Sequence, residues 1–212
     1  MAAVDLEEQE QIEAIKAWWK DNQNQIFGAL LIIFVTLGGW RGWHYYQQQQ
    51  SIQSATLFAE FIKQLEGNDK KRVNDAAAAV MDKFSATAYA SRAALLAAQV
   101  NQQSENTAPA KTQLQWVIDH AGETELRDVA RLQFSSMLLD EKNYTDAMKL
   151  LETEHAASFD GLYSDLRGDV LSAQGKPDEA RSSYKLAYEK TDAKSAYRNL
   201  IQMKLDALVL SK

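Results

Sequence analysis

The chain has 212 residues, no cysteine, and 23 Lys and Arg against 29 Asp and Glu, which gives a formal net charge of −6 at pH 7. The lack of cysteine excludes disulfides and thiol catalysis and argues against zinc sites; without a basic stripe, we expect no nucleic-acid partner. Two prolines and nine glycines leave few helix breaks, so the composition predicts an all-α protein with room for one membrane anchor and one soluble domain.

Residues 1–24 are predicted to form an acidic cytoplasmic tail that contains a short amphipathic helix. Over residues 4–20, apolar side chains recur at i, i+3 and i+7 on one helical face: Ile12, Ile15 and Trp19. This helix is interpreted either as lying on the membrane surface or against a partner, or as part of a partly ordered tail. The polar residues 21–25 are expected to loosen its connection to the next segment.

Residues 25–46 are the longest apolar segment and are predicted to be a single transmembrane anchor in contact with lipid. No Asp, Glu, Lys or Arg occurs between Asp21 and Arg41, and about 20 helical residues span about 30 Å of hydrocarbon. A buried core helix or a cleaved signal peptide fits less well, because bulky aromatic residues follow the segment. The side chains predicted to lie at the headgroup level are Trp18, Trp19, Trp40, Arg41, Trp43 and Tyr45.

Two further features of this segment concern its neighbours and its orientation. Gly38 and Gly42 form a small-xxx-small pair, which predicts a possible contact with another membrane helix, although glycine is common in membrane helices in general.

Two lysines and the terminal amine precede the span, whereas no basic residue follows Arg41 until Lys63. This asymmetry favours a cytoplasmic N-terminus and a soluble domain outside, which in a bacterium is the periplasm.

Residues 47–86 are predicted to form a helical stalk and the first helix pair. No Gly or Pro interrupts residues 43–66, so the membrane helix is expected to continue into the soluble domain instead of ending in a flexible tether. A second helix is expected over residues 69–84, with one apolar face made by Val73, Ala77, Val80 and Phe84.

Residues 87–212 are predicted to form tetratricopeptide-like repeats with a C-terminal closing helix. A shift of 33 residues places Leu138 on Leu171 and Ala147 on Ala180. Helix pairs are expected at residues 87–121, 125–153 and 160–190. Because one such pair cannot bury its apolar face alone, the pairs are expected to stack into a solenoid.

The last repeat carries the clearest signature. The residues of that signature are small at helix contacts or form the turn between helices: Gly168, Gly175, Pro177 and Ala180. A closing helix over residues 192–210 is expected to cover the end of the stack through Tyr197, Leu200 and Leu208.

Catalytic patterns are missing from the sequence. The three histidines lie far apart, and neither a glycine-rich phosphate loop nor a nucleophile elbow occurs, so we expect no metal site and no cofactor. Two carboxylate pairs, Asp165 with Asp169 and Glu123 with Glu125, are the only hint of a hydrolase; we interpret the setting of Asp165 and Asp169 as an ordinary solvated repeat surface.

Four stretches, in the same order along the chain, resemble the YfgM family: AIKAWWKDNQ, GGWRGWHYYQ, DLRGDVLSAQGKPDEARSSY and LIQMKLDAL. That family consists of membrane-anchored tetratricopeptide proteins of Gram-negative bacteria that are ancillary to the Sec translocon. The resemblance implies an inner-membrane protein with a periplasmic repeat domain and no catalytic residues. It also implies that SecYEG, the chaperone PpiD and nascent secreted proteins are partners.

Two functional hypotheses therefore stand. The first is a non-catalytic translocon subunit that acts with PpiD to receive and hand on newly translocated periplasmic and outer-membrane proteins. The alternative is a general envelope scaffold, in cell division or outer-membrane assembly, whose repeats make protein–protein contacts without handling clients. The fold alone does not separate the two.

Overall fold

The computed structural model describes residues 2–67, 69–103 and 107–210, and every regular element in these ranges is helical. This confirms the all-α prediction. Part of the polar connection predicted over residues 102–108 lies outside the described residues. The α-helices are α1 (Ala2–Glu66), α2 (Lys70–Lys83), α3 (Ala88–Gln102), α4 (Ala108–His120), α5 (Thr124–Asp140), α6 (Tyr144–Leu151), α7 (Asp160–Ala173), α8 (Pro177–Lys190) and α9 (Tyr197–Leu210).

The chain divides into two compact units, one ending at Gln50 and the other beginning at Ser51. The predicted loosening at residues 21–25 is wrong, because α1 is helical throughout that stretch. Its polar side chains bond to the helix's own carbonyls: Asn22 Nδ2 donates to Trp18 O at 2.8 Å, and Gln23 Nε2 donates to Lys20 O at 3.3 Å. Without Gly or Pro, these polar residues do not end a helix.

The three predicted helix pairs of the second unit are confirmed as α3 with α4, α5 with α6 and α7 with α8. Local sequence sets their ends. Thr87 and Asn143 cap α3 and α6 through side-chain oxygens that accept backbone N–H groups. Pro109 and Pro177 lie in the first turns of α4 and α8, where the missing N–H has no helical partner to lose.

The end of α1 and the whole of α2 share one apolar core with α3. Phe61 of α1 is fully buried together with Val73, Ala77 and Val80 of α2. The α3 side of this core consists of small side chains, namely Ala90, Ala93 and Ala97. The last turns of α1 thus contribute to this core, and Ser54 Oγ lies 2.8 Å from Thr87 Oγ1 at the start of α3.

The closing helix differs from the prediction in its start and in one of the three residues predicted to face inward. It begins at Tyr197 because the preceding residues form a turn, in which Asp192 Oδ1 accepts a hydrogen bond from the Lys194 N–H at 2.7 Å. Leu200, predicted to face inward, is 43% exposed, and its neighbour Ile201 is buried instead. The inward residues are spaced by three or four positions: Tyr197, Ile201, Lys204 and Leu208.

Candidate functional site

The first candidate site is the apolar segment of α1. Twelve large apolar side chains between Phe27 and Tyr46 are more than half exposed, and they lie on all sides of the helix. Exposing so much apolar surface to water is unfavourable, at about 25 cal/mol per Å². Residues 15–66 of α1 include a stretch long and apolar enough to cross a membrane, and none of that stretch is buried.

The residues predicted to lie at the headgroups are all exposed and stand at the two ends of this segment. Trp18 and Trp19 precede it, and the Trp19 ring meets Phe27 edge-on at 6.2 Å between centroids. Trp40, Arg41, Trp43 and Tyr45 follow it. There the Trp40 ring lies 4.6 Å from His44, and the Trp43 ring lies 6.3 Å from Tyr46. Aromatic side chains with polar tips suit a membrane interface.

Gly38 and Gly42 lie in open space. A Cβ atom built on either residue meets no atom of the described chain within 4 Å. The described residues therefore give these glycines no packing role within the chain. A contact with a second helix remains a prediction.

The repeat-signature residues lie at a close contact between α7 and α8, in the turn that joins these helices, or in the buried face of α8. A Cβ on Gly168 would overlap the Tyr184 ring, so only glycine lets α7 and α8 approach to this distance. Gly175 adopts φ of +75°, a conformation that favours glycine, just before Pro177 starts α8. Ala180 is fully buried where α8 packs on its neighbours.

The prediction that Asp165 and Asp169 lie on an ordinary solvated surface is wrong. Asp165 is only 2% exposed and accepts hydrogen bonds from Tyr197 Oη at 2.6 Å and Lys204 Nζ at 2.7 Å. Asp169 accepts from Tyr184 Oη at 2.8 Å and Lys204 Nζ at 2.8 Å. The physical reason is that α9 packs back onto α7 and supplies hydrogen-bond donors that are more than thirty residues away from these aspartates in sequence.

Burial and hydrogen bonding shift the pKa values of three groups in this cluster, namely Lys204, Tyr184 and Tyr197. Burial lowers the pKa of Lys204, but the hydrogen bonds that Lys204 donates to Asp165 and Asp169 outweigh it and raise the pKa overall. Burial and the adjacent carboxylates raise the pKa of Tyr184 and of Tyr197. The raised pKa values favour the protonated forms of the lysine and of both phenols, and the resulting hydrogen bonds to the two carboxylates fasten α9 to α7.

A second buried carboxylate, Asp128 of α5, was not foreseen. It accepts hydrogen bonds from Arg131 Nη1 at 3.0 Å, the Ala156 N–H at 2.9 Å and Tyr163 Oη at 3.2 Å. The His155 ring stacks on Tyr163 at 3.8 Å between centroids. Tyr163 thus fastens α7 to α5 as Tyr197 fastens α9 to α7. The sequence did offer a signal for this contact: Asp128 lies on the first helix of one pair, and Tyr163 lies on the first helix of the next pair, about one repeat later.

Among the residues that the structure describes, no group of three or more His, Asp or Glu side chains is placed to hold a metal ion. Glu123 instead pairs with Arg92 of α3 at 3.1 Å, and Glu125 is exposed in the first turn of α5. The charged groups of the repeats thus connect neighbouring helices.

Comparison with known proteins agrees with this geometry. A family model described as "Tetratricopeptide repeat-like domain" matches residues 16–209. Proteins named "Ancillary SecYEG translocon subunit" from Neisseria gonorrhoeae and Escherichia coli are each 28% identical, covering 97% and 95% of this chain and 99% and 96% of the relatives. The protein of that name from Haemophilus influenzae is 24% identical over 97% of this chain and all of the relative. No solved structure matches significantly.

These nearly full-length matches confirm the resemblance to the YfgM family. The family model spans most of the first unit and almost all of the second. The chain therefore belongs to the tetratricopeptide repeat-like domain family.

Proposed function

We propose that this protein is an ancillary, non-catalytic subunit of the SecYEG translocon, anchored in the bacterial inner membrane by residues 25–46. The observation that carries the proposal is that proteins named as such subunits match this chain from end to end, apolar segment and repeats included. The exposed apolar side chains of α1 support an anchor, and the excess of lysine before the span supports a cytoplasmic N-terminus.

In this proposal the repeats lie in the periplasm and act with PpiD on newly translocated periplasmic and outer-membrane proteins. Stacked helix pairs provide extended surfaces for protein contacts. The buried charges of the repeats are engaged in fastening helices together, which suits a scaffold for binding. Receiving a translocated chain and handing it on requires non-covalent protein–protein contacts and no covalent chemistry.

In-cell chemical crosslinking with mass spectrometry, carried out before any detergent is added, tests this proposal. We expect crosslinks from the span to translocon helices and from residues 87–210 to PpiD. Crosslinks only to cell-division or outer-membrane assembly proteins would replace the proposal with the general scaffold. Crosslinks from the repeats to cytoplasmic proteins would reverse the orientation.

The glycine pair gives a sharper test of the membrane contact. Replacing Gly38 and Gly42 together with Leu places side chains on the face where a second helix would approach, so co-isolation with SecYEG should fall several-fold. Gly28→Leu is the matched control, since its Cβ also meets nothing within 4 Å in the described chain. If the native chain, the double variant and the control all co-isolate equally with SecYEG, the glycine contact is wrong.

Client handling is tested separately. The full chain in lipid nanodiscs should slow the aggregation of a chemically unfolded outer-membrane protein, measured by light scattering. Empty nanodiscs are the control. A chain that crosslinks to the translocon but leaves aggregation unchanged would be a scaffold that does not bind clients.

A further inference from the structure

An open cleft of about 550 Å³ lies in the second unit, between the first half of α5 and the connection from α6 to α7. The residues that line it are Thr124, Arg127, Arg131, Thr153, Glu154, His155 and Ala156. Arg127 and Arg131 are four residues apart and therefore lie on the same face of α5. Two guanidinium groups thus converge on one cavity.

The two arginines differ in how their charge is balanced. Arg131 Nη1 bonds to the buried carboxylate of Asp128 at 3.0 Å and to the Glu154 carbonyl at 3.2 Å. Arg127 is half-buried, and no carboxylate of the described residues lies within 4.0 Å of it. Its Nη2 donates to Thr124 Oγ1 at 3.0 Å, and its Nε is buried without a hydrogen-bond partner.

Leaving a half-buried cation without an anion is unfavourable. Other members of the cleft do not supply that anion. His155 bonds to Thr153 O and to Asp160. Glu154 contributes its backbone carbonyl to Arg131, and its exposed carboxylate, although it belongs to the lining, forms no ion pair with Arg127 within 4.0 Å. A second groove lies between α8 and α9, where Glu189 and Asp206 accompany Arg181 and Lys185.

We infer that this cleft binds a carboxylate carried by an extended polypeptide, with the Arg127 guanidinium as its main partner. The planar fork of arginine matches a carboxylate through two parallel hydrogen bonds, and Thr124 Oγ1 and Arg131 border the same space. The inference rests on the proposed client-binding function and names one chemical group that a client presents.

The test uses the full chain in zwitterionic nanodiscs and fluorescence anisotropy of two labelled twelve-residue peptides. One peptide carries two Glu between Gly and Ser residues, and the other carries Gln in their place. We expect the Glu peptide to bind at least tenfold more tightly, and its affinity to fall as salt is added. Equal binding of the two peptides, or binding of neither, overturns the inference.

Arg127→Gln should weaken binding of the Glu peptide about tenfold and leave the Gln peptide unchanged. Lys185→Gln, in the other groove, is the matched control and should have no effect. Arg127→Lys retains the charge without the fork and should give an intermediate affinity, which separates recognition from misfolding. Unchanged Glu-peptide binding by Arg127→Gln overturns the inference.

A nanodisc containing phosphatidylglycerol serves as a competing ligand. If Arg127 is needed only for binding to that anionic surface, the ligand is a lipid phosphate and the carboxylate inference fails. Crosslinks to the translocon do not depend on Arg127, so failure of this inference and failure of the proposed function give different results.

Discussion

Two phenylalanines on the same helix have opposite surroundings: Phe34 is 78% exposed, whereas Phe61 is completely buried. Phe61 lies in the second unit, where Val73, Ala77 and Val80 enclose it. Phe34 lies in the first unit, where the described residues offer no such core. The second unit is stabilised by its own contacts, and the first requires a solvent or a partner that the chain itself does not provide.

The glycines repeat this contrast. Gly168 is needed because the Tyr184 ring lies against it, and Gly38 and Gly42 face open space. Among the described residues, Gly168 has a neighbour that requires glycine, and Gly38 and Gly42 have no such neighbour. The following substitutions test whether the second unit depends on internal contacts and the first on an external environment.

The largest effect is expected from Asp128→Ala, which removes the partner of Arg131, the Ala156 N–H and Tyr163 Oη. Leaving these groups buried without an acceptor should lower the free energy of unfolding by about 3–5 kcal/mol. Urea unfolding of the full chain in nanodiscs, followed by circular dichroism, measures this. Asp146→Ala removes exposed contacts with Lys149 and Asn143 and is the control, with a much smaller loss of stability expected. Equal stability of the two variants would contradict the account.

Phe34→Arg tests the first unit. An arginine near the middle of a membrane helix costs about 2.5–3.5 kcal/mol, so the fraction of chain that resists alkaline carbonate extraction from membranes should fall severalfold. The urea midpoint of the repeats should not change. Phe34→Leu is the control. Full retention of Phe34→Arg in the membrane would show that this part of the helix does not face lipid.

Gly168→Ala should destabilise the repeats by about 1–3 kcal/mol, because the added methyl group displaces a Tyr184 ring that Asp169 holds. Gly38→Ala and Gly42→Ala add the same group in open space and should leave the unfolding midpoint unchanged. A loss of stability in the latter pair would reveal an internal contact.

The smallest effect concerns alkaline pH. Burial raises the pKa of Tyr163, Tyr184 and Tyr197, so the unfolded chain loses these protons first as pH rises. The raised pKa of Lys204 acts with the same sign. Stability should therefore be constant up to about pH 10, the ordinary pKa of tyrosine, and fall above it. Tyr197→Phe should reduce the slope of the free energy of unfolding against pH in this range. A native chain whose stability does not change above about pH 10 would contradict the raised pKa values of these tyrosines.

The sequence predicted what depends on local periodicity. Apolar spacing located the helix pairs, and Pro109 and Pro177 marked helix starts within a residue or two. The run of apolar residues after Asp21 located the exposed segment. These features are readable because each is encoded within a few turns of one helix.

Contacts between repeats were not readable in this way. Asp165 was assigned to a solvated surface because its partners, Tyr197 and Lys204, are 32 and 39 residues away. One inward position of α9 was misassigned, since Leu200 and Ile201 are equally apolar and only packing on α8 distinguishes them; Tyr197 and Leu208 pack inward as predicted. The cleft beside Arg127 could not be predicted either, because its other wall is the connection from α6 to α7, which is distant in sequence.

Membrane orientation is the central claim, and substituted-cysteine labelling in intact cells tests it most directly, because the native chain has no cysteine. Three single variants are needed: Ala17→Cys before the span, Val35→Cys within it and Ser85→Cys in an exposed turn of the repeats. A maleimide that enters the periplasm but not the cytoplasm should label only Ser85→Cys, and Ala17→Cys should become reactive after permeabilisation. Labelling of Ala17→Cys but not Ser85→Cys in intact cells would contradict the account, and ready labelling of Val35→Cys would show that the segment does not lie in lipid.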